Sequence, residues 1–254
     1  MTPAIKVDNL FKYYDDVPAL KGISFKVAPG TICGLLGANG AGKTTTLAIL
    51  LGLLTPSSGA IEILGQDFLA DRYAVLSRMN FSSPYVDLPQ RLTVQENLDI
   101  YARLYGVADR NGRINRLCEE LELSHFRNRA YATLSAGQRT RVALVKALIN
   151  EPELLLLDEP TASMDPDTAD RVRHYLCEYR DQTGATILFS SHNMNEVERI
   201  CDQALIMHTG DIVNQGPPVD MVAAYGRRTL EEVFLDVVRH STVGRQAHNG
   251  TGQA

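Results

Sequence analysis

Thr31-Ile32-Cys33-Gly34-Leu35-Leu36-Gly37-Ala38-Asn39-Gly40-Ala41-Gly42-Lys43-Thr44 is the stretch that decides how the rest of the chain is read. Its first half, after a Pro29-Gly30 turn, is a short apolar run of the kind that forms a buried strand. Its second half fits GxxxxGK[ST] and leads into a helix predicted from about Lys43 to Leu54, stopped by Thr55-Pro56-Ser57-Ser58-Gly59. Glycines let the backbone wrap closely around phosphates with its N–H groups pointing inward, and the helix adds its positive dipole end. Lys43 can reach β and γ phosphates, and the Thr44 hydroxyl can ligate magnesium. Without a ligand the same stretch is only a glycine-rich turn; the full motif between strand and helix favours the phosphate cradle.

Working outward, Ile5-Lys6-Val7 and Ile23-Ser24-Phe25-Lys26-Val27 alternate apolar and polar residues, as half-buried strands do, and Ile61–Leu64 returns as a strand. From about Pro84 to Asn150 the pattern is helical. Thr93-Val94-Gln95-Glu96 has capping-box spacing and opens a helix through Tyr105, with Leu98, Tyr101 and Ala102 on one stripe. Arg113–Leu123 reads as a second helix, and a third begins at Ser135, again with capping-box spacing, and runs to about Asn150. Strands then alternate with helices: Leu154–Leu157, a helix capped by Asp165 with Pro166 in its first position, Ala185–Ser190, and Ala204–Met207 turning at Thr209-Gly210-Asp211. This order predicts an α/β fold: a P-loop nucleoside triphosphatase core with a mainly parallel sheet, an N-terminal antiparallel β region and an inserted helical subdomain.

Leu154-Leu155-Leu156-Leu157-Asp158-Glu159 narrows the chemistry. A buried strand ending in two carboxylates can deliver Asp158 to magnesium, directly or through water. Glu159 can orient or deprotonate an attacking water, an effect typically worth about 10²–10⁴ in rate. Read alone, the pair is a strand ending in solvated acids; beside a phosphate cradle the catalytic reading is favoured.

Leu134-Ser135-Ala136-Gly137-Gln138 resembles the LSGGQ signature of the ATP-binding cassette family, and it precedes the Asp-Glu strand by the short helix expected there. A hydroxyl, small residues and backbone N–H groups at a helix start suit an anion, although Ser135 also caps its own helix. Ala162-Ser163-Met164-Asp165 is similar to the family's D-loop, His192 matches its switch histidine, and Tyr14 stands where an aromatic stacks on adenine, with Tyr13 as the second choice. Read alone, His192 is an ordinary residue after a strand and Tyr14 ordinary packing. The resemblance spans about Ile5 to Val238. It implies one cassette over 1–240: a core over 1–83 and 151–225, helices over 84–150, a closing helix over 226–240 and a flexible tail over 241–254. Implied nucleotide contacts are Tyr14, Gly37, Asn39, Gly40, Gly42, Lys43, Thr44, Thr45, Ser135, Gly137, Gln138 and Asp165. The resemblance also implies that Glu159, His192 and Lys43 carry the hydrolysis of ATP and that Thr44 and Asp158 hold Mg2+. Two cassettes would pair head to tail, so that Ser135 and Gly137 of one meet ATP held by Lys43 of the other.

Two positions depart from the family pattern. Ala136 replaces a glycine, a small change expected to be tolerated. The segment Asn80-Phe81-Ser82-Ser83-Pro84-Tyr85 lacks the glutamine usual before the helices, and Gln90 lies too far along; Ser83 is the candidate substitute, through a hydroxyl or water.

Composition bounds the setting. The chain has 254 residues, 44% hydrophobic and 22% charged, with a formal net charge of -5, so a non-specific hold on nucleic acid is not expected. Cys33, Cys118, Cys177 and Cys201 are scattered, which fits reduced cytosolic thiols better than a disulfide framework or a zinc site. No signal peptide is evident and no apolar run is long enough to cross a bilayer. The expectation is a cytoplasmic protein, peripheral on the cytoplasmic face of the cell membrane, powering an integral membrane permease with a second copy of itself or a homologous cassette. The closing stretch from Thr229 resembles the ending of exporter-type cassettes, though read alone it is equally an amphipathic helix packed on the sheet. With no room seen for the large C-terminal regulatory domains of many sugar importers, the resemblance leans to export. The alternative is a soluble cassette ATPase in a non-transport assembly such as iron–sulfur cluster biogenesis.

Overall fold

The computed structural model describes residues 2–84 and 86–249, with side chains to Arg239; Met1, Tyr85 and residues 250–254 lie outside the described residues. In chain order the strands are β1 (Ile5–Tyr14), β2 (Val17–Val27), β3 (Ile32–Leu36), β4 (Ser58–Ile63), β5 (Gln66–Asp67), β6 (Met79–Ser82), β7 (Leu154–Asp158), β8 (Thr186–Ser191), β9 (Gln203–His208) and β10 (Asp211–Gly216). The helices are α1 (Lys43–Leu50), α2 (Tyr73–Leu76), α3 (Val94–Leu104), α4 (Arg110–Glu120), α5 (Ala136–Leu148), α6 (Pro166–Thr183), α7 (Met194–Ile200), α8 (Pro218–Ala224) and α9 (Leu230–Asn249). They form two compact units, and the chain passes between them within β1, β2, β3 and β4 and at the end of β8.

The unit built mainly from Ile61–Ser190 holds the parallel strands β6, β7 and β8, in register with Ser82 opposite Leu157 and Asp158 opposite Ser190. Parallel strands need long crossovers; α3 to α5 supply one and α6 the other. Leu154 to Leu157 are all buried, as a strand covered on both faces requires. Helices α3, α4 and α5 pack on one another, and α5 packs on β6. Both predicted capping boxes form. The Thr93 side chain accepts from Glu96 N while Glu96 accepts from Thr93 N, and Ser135 and Gln138 repeat the exchange at α5. Helix α4 starts three residues before the expected Arg113, because Asp109 accepts from Gly112 N and caps it there.

The other unit carries β3 parallel to β9, with β9 and β10 joined as the predicted hairpin through Thr209 (φ 46°) and Gly210 (φ 85°). Two positive φ angles suit a tight hairpin turn. Helix α1 ends at Leu50 rather than Leu54, because Gly52 takes φ 68° and Leu53 N turns back to Ala48 O. Helix α7 packs on α8 and α9, and α8 and α9 pack on β10. Thr229 opens α9 by accepting from Glu232 N, and α9 runs to Asn249, past the expected limit at 240. Among the described residues no helix is long and apolar enough to cross a membrane.

Strand β6 was not expected, because a polar Asn80 interrupts its apolar pattern. Asn80 is nevertheless buried, and its Oδ1 accepts from Lys146 Nζ at 3.1 Å. Lys146 is itself only 8% exposed, and burial pushes its ammonium down from 10.5 to about 8. Between those values the unfolded chain keeps a proton that the folded chain has released, so this group adds stability as pH rises through the window. Urea unfolding of wild type and Lys146→Met from about pH 7.5 to about pH 10 should therefore show the difference moving in favour of wild type as pH rises. A difference independent of pH would contradict the assignment.

Candidate nucleotide-binding and hydrolysis site

The phosphate cradle forms between β3 and α1. Gly37 is buried so tightly that a Cβ there would lie 2.7 Å from Met207 O and 2.8 Å from Ala41 Cβ. Gly42 has φ 109°, and its Cβ would lie 2.9 Å from Leu20 Cδ2. Both positions exclude a side chain, the first by space and the second by space and backbone conformation. The hairpin turn steadies the loop from below: Gly210 N donates to Ala41 O at 3.0 Å. Helix α1 has neither a side-chain cap nor an acidic residue in its first turn, so no side chain there would compete with an anion for its leading N–H groups. Lys43 Nζ donates to Gly37 O at 2.6 Å and Ala38 O at 3.3 Å, which holds the ammonium against the loop. Asn39, Gly40 and Thr44 are exposed and Thr45 is half-buried, and the loop with Ala19 lines a cavity of about 300 Å³. The residues fit a triphosphate.

Tyr14 ends β1 half exposed, with Lys12 Nζ 5.3 Å from its ring centroid. Tyr13 is exposed to a similar degree, but its ring stacks on Phe11. His192 is exposed between two residues committed to the start of α7: Ser191 Oγ accepts from Asn193 N, and Asn193 Oδ1 accepts from Glu196 N.

In the unit that holds β7, the two acids share one organiser that the sequence reading missed. Ser190, fully buried, donates its hydroxyl to Asp158 Oδ1 and accepts from Glu159 N at 3.3 Å. Glu159 N also donates to Ser190 O at 3.1 Å. Glu159 has φ 48°, a left-handed conformation that costs a non-glycine residue about 1–3 kcal/mol and is kept where surroundings enforce it. Register was the available signal, since β8 runs beside β7 with Ser190 opposite Asp158. On the other side Ser83 Oγ lies 3.4 Å from Asp158 Oδ2, so the segment without a glutamine does reach the acid. Its last residue, Tyr85, is outside the described residues.

Asp158 in one unit and Thr44 in the other each carry a hard oxygen donor of the kind Mg2+ takes. Among the described residues no group of three or more His, Cys, Asp or Glu could hold a metal by itself.

The signature segment opens α5. Ser135 Oγ accepts from Gln138 N at 3.3 Å and Gln138 Oε1 accepts from Ser135 N at 3.0 Å, so the Gln138 side chain is turned back onto the cap. Ala136 is exposed. Gly137 has no such freedom: a Cβ would lie 2.8 Å from Ser163 O. The signature and the D-loop therefore pack backbone to backbone. Asp165 caps α6 by accepting from Thr168 N at 3.0 Å, and that backbone hydrogen bond holds its carboxyl below the usual range. Ser83, Leu134, Ala136, Thr140 and Ser163 line one cavity of about 390 Å³.

A family model described as ABC transporter matches residues 20–162, more than half of the chain and inclusive of the cradle, the signature and both acids. The chain belongs to the ABC transporter family. It is 35% identical over 243 residues to the Nod factor export ATP-binding protein I of Ralstonia nicotianae (strain ATCC BAA-1114 / GMI1000), covering 93% of this chain and 72% of that protein. It is also 35% identical over 236 residues to the bacitracin transport ATP-binding protein BcrA of Bacillus licheniformis, covering 93% and 76%. Among solved structures it is similar to the dimeric structure of MJ0796, a bacterial ABC transporter cassette. That match has TM-score 0.78 and 25% identity over 84% of this chain and 98% of that one. The α/β cassette fold and the ATPase subunit identity expected from the sequence hold.

Gly137→Ala should cost about 1–3 kcal/mol of stability, because the clash is with backbone that has no rotamer to change. Ala136→Gly, at the exposed neighbour, should cost less than about 1 kcal/mol. Urea titrations of the two variants test this, and equal midpoints would contradict the packing described.

Proposed function

We propose that this chain is the ATP-hydrolysing motor of an exporter and works as a head-to-tail pair on the cytoplasmic face of a membrane permease. The observation that carries this reading is the completed set of parts, cradle, paired acids and capped signature, in a chain resembling export and transport ATP-binding proteins over 93% of its length. The cradle N–H groups and Lys43 bind the β and γ phosphates of ATP. Tyr14 supports the adenine. Thr44 and Asp158 hold Mg2+, which offsets phosphate charge when bound. Glu159 orients the attacking water and takes its proton, and His192 contacts the γ-phosphate. Hydroxyl and backbone donors at Ser135 and Gly137 of one copy meet ATP held by the other, with Asp165 at the seam. A dimer is what this requires, and the similar cassette noted above is dimeric. ATP shared between two copies favours the closed pair and loss of the γ-phosphate releases it; a bound permease feels that stroke.

Glu159→Gln should keep ATP binding, lose turnover and accumulate an ATP-dependent dimer in size-exclusion chromatography. Hydrolysis at the wild-type rate would remove Glu159 from the role. Affinity capture from detergent-solubilised membranes should bring down a membrane-spanning protein; recovery of soluble partners alone would favour a non-transport assembly such as iron–sulfur cluster biogenesis.

A further inference from the structure

Among the buried charges of the described residues, the Lys146 ammonium is one that the hydrolysis scheme does not use. It sits two residues before the end of α5, the helix whose first turn is the signature. Its partners are Asn80 Oδ1 at 3.1 Å and Phe81 O at 3.4 Å, with the Phe81 and Tyr101 rings 4.6 Å and 5.4 Å away. All of these are neutral groups. A buried cation held only by carbonyl oxygens and ring faces is expensive, and a neutral side chain of the same length would serve packing alone at lower cost. Asn80 Oδ1 also accepts from Phe81 N at 2.9 Å and Tyr105 OH at 3.4 Å, and Asn80 Nδ2 donates to Asn150 Oδ1 at 2.8 Å. The ammonium is thus part of a hub that fixes the backbone of β6 at Asn80 and Phe81. Strand β6 pairs with β7 through Ser82 and Leu157, and the next residues on each strand are Ser83 and Asp158.

We propose that Lys146 is a positioning residue for the hydrolytic reaction: by anchoring β6 to the signature helix it sets Ser83 against the Asp158 carboxylate. This rests on the reading of Asp158 as a magnesium ligand. Lys146 acts through β6 and touches neither nucleotide nor metal. With the anchor gone, Ser83 loses its fixed distance from Asp158 Oδ2, and the carboxylate is left oriented by Ser190 through Oδ1. The consequence falls on magnesium-dependent turnover, while the cradle, built from other residues, keeps its affinity for ATP.

The test compares wild type, Lys146→Met, Lys146→Arg, Ser83→Ala and the Ser83/Lys146 double variant in steady-state ATPase assays over a magnesium chloride titration. Binding of a fluorescent ATP analogue is measured alongside. Lys146→Met should lower kcat about tenfold and raise the half-saturating magnesium concentration at least about threefold, with nucleotide affinity within about twofold. Lys146→Arg, which keeps the cation, should recover most of both. Ser83→Ala should shift the magnesium requirement in the same direction, and the double variant should be no worse than the more impaired single one, because both act on one contact. If Lys146→Met does not fold, Lys146→Gln is read by the same criteria. Wild-type kcat and magnesium requirement in the folded neutral variant, or full additivity in the double variant, would overturn the proposal. Glu159→Gln separates it from the reading beneath it. If that variant is inactive while Lys146→Met behaves as wild type, only the role of Lys146 falls; if Glu159→Gln is active, the assignment of the acids falls first.

Discussion

A backbone can surround a phosphate only where it comes closer than any side chain would permit, and that constraint governs this molecule from Gly37 to Gly42. A Cβ at Gly37 would meet carbonyl oxygen, and Gly42 combines a left-handed φ with contact against Leu20. The loop is held from two directions: the Lys43 ammonium ties its first carbonyls, and Gly210 of the β9–β10 turn donates to Ala41 O. The helix that follows contributes uncapped N–H groups. Each of these features would be a defect in an ordinary strand–helix junction. Together they make a site that needs an anion.

The acids obey a different rule, that of register between parallel strands. Strands β6, β7 and β8 bring Ser83, Asp158 and Ser190 to one end of the sheet segment, where two hydroxyls flank one carboxylate. Ser190 also receives the Glu159 N–H, so one buried hydroxyl holds the Asp158 carboxylate and the Glu159 backbone at the point where the chain turns into a left-handed conformation. The signature and D-loop add a third arrangement, a contact between backbones at Gly137 and Ser163 that leaves Ser135 and Asp165 as helix caps.

Much of this was legible in the residues. The cradle, the Thr93 and Ser135 boxes, the Asp165-Pro166 helix start and the β9–β10 turn each carry local chemistry that fixes conformation within a few residues, and all formed where that chemistry indicated. What was not legible depends on partners distant in sequence. Strand β6 is hidden because its buried Asn80 is satisfied by Lys146, 66 residues away. Ser190 reads as the polar end of a strand until β8 is set beside β7. The ends of α1 and α4 moved because Gly52 and Asp109 decide them, through a positive φ and a side-chain cap that periodicity does not register. Tyr14 and Tyr13 illustrate the limit of motif position: both are exposed, and what separates them is that Tyr13 is stacked on Phe11.

The most direct test of the central claim is the structure of two copies of Glu159→Gln loaded with magnesium and ATP. The account predicts a γ-phosphate gripped by Lys43 of one copy and by Ser135 of the second, with the metal on Thr44 and Asp158. A nucleotide-loaded structure in which Ser135 lies far from every phosphate would contradict it.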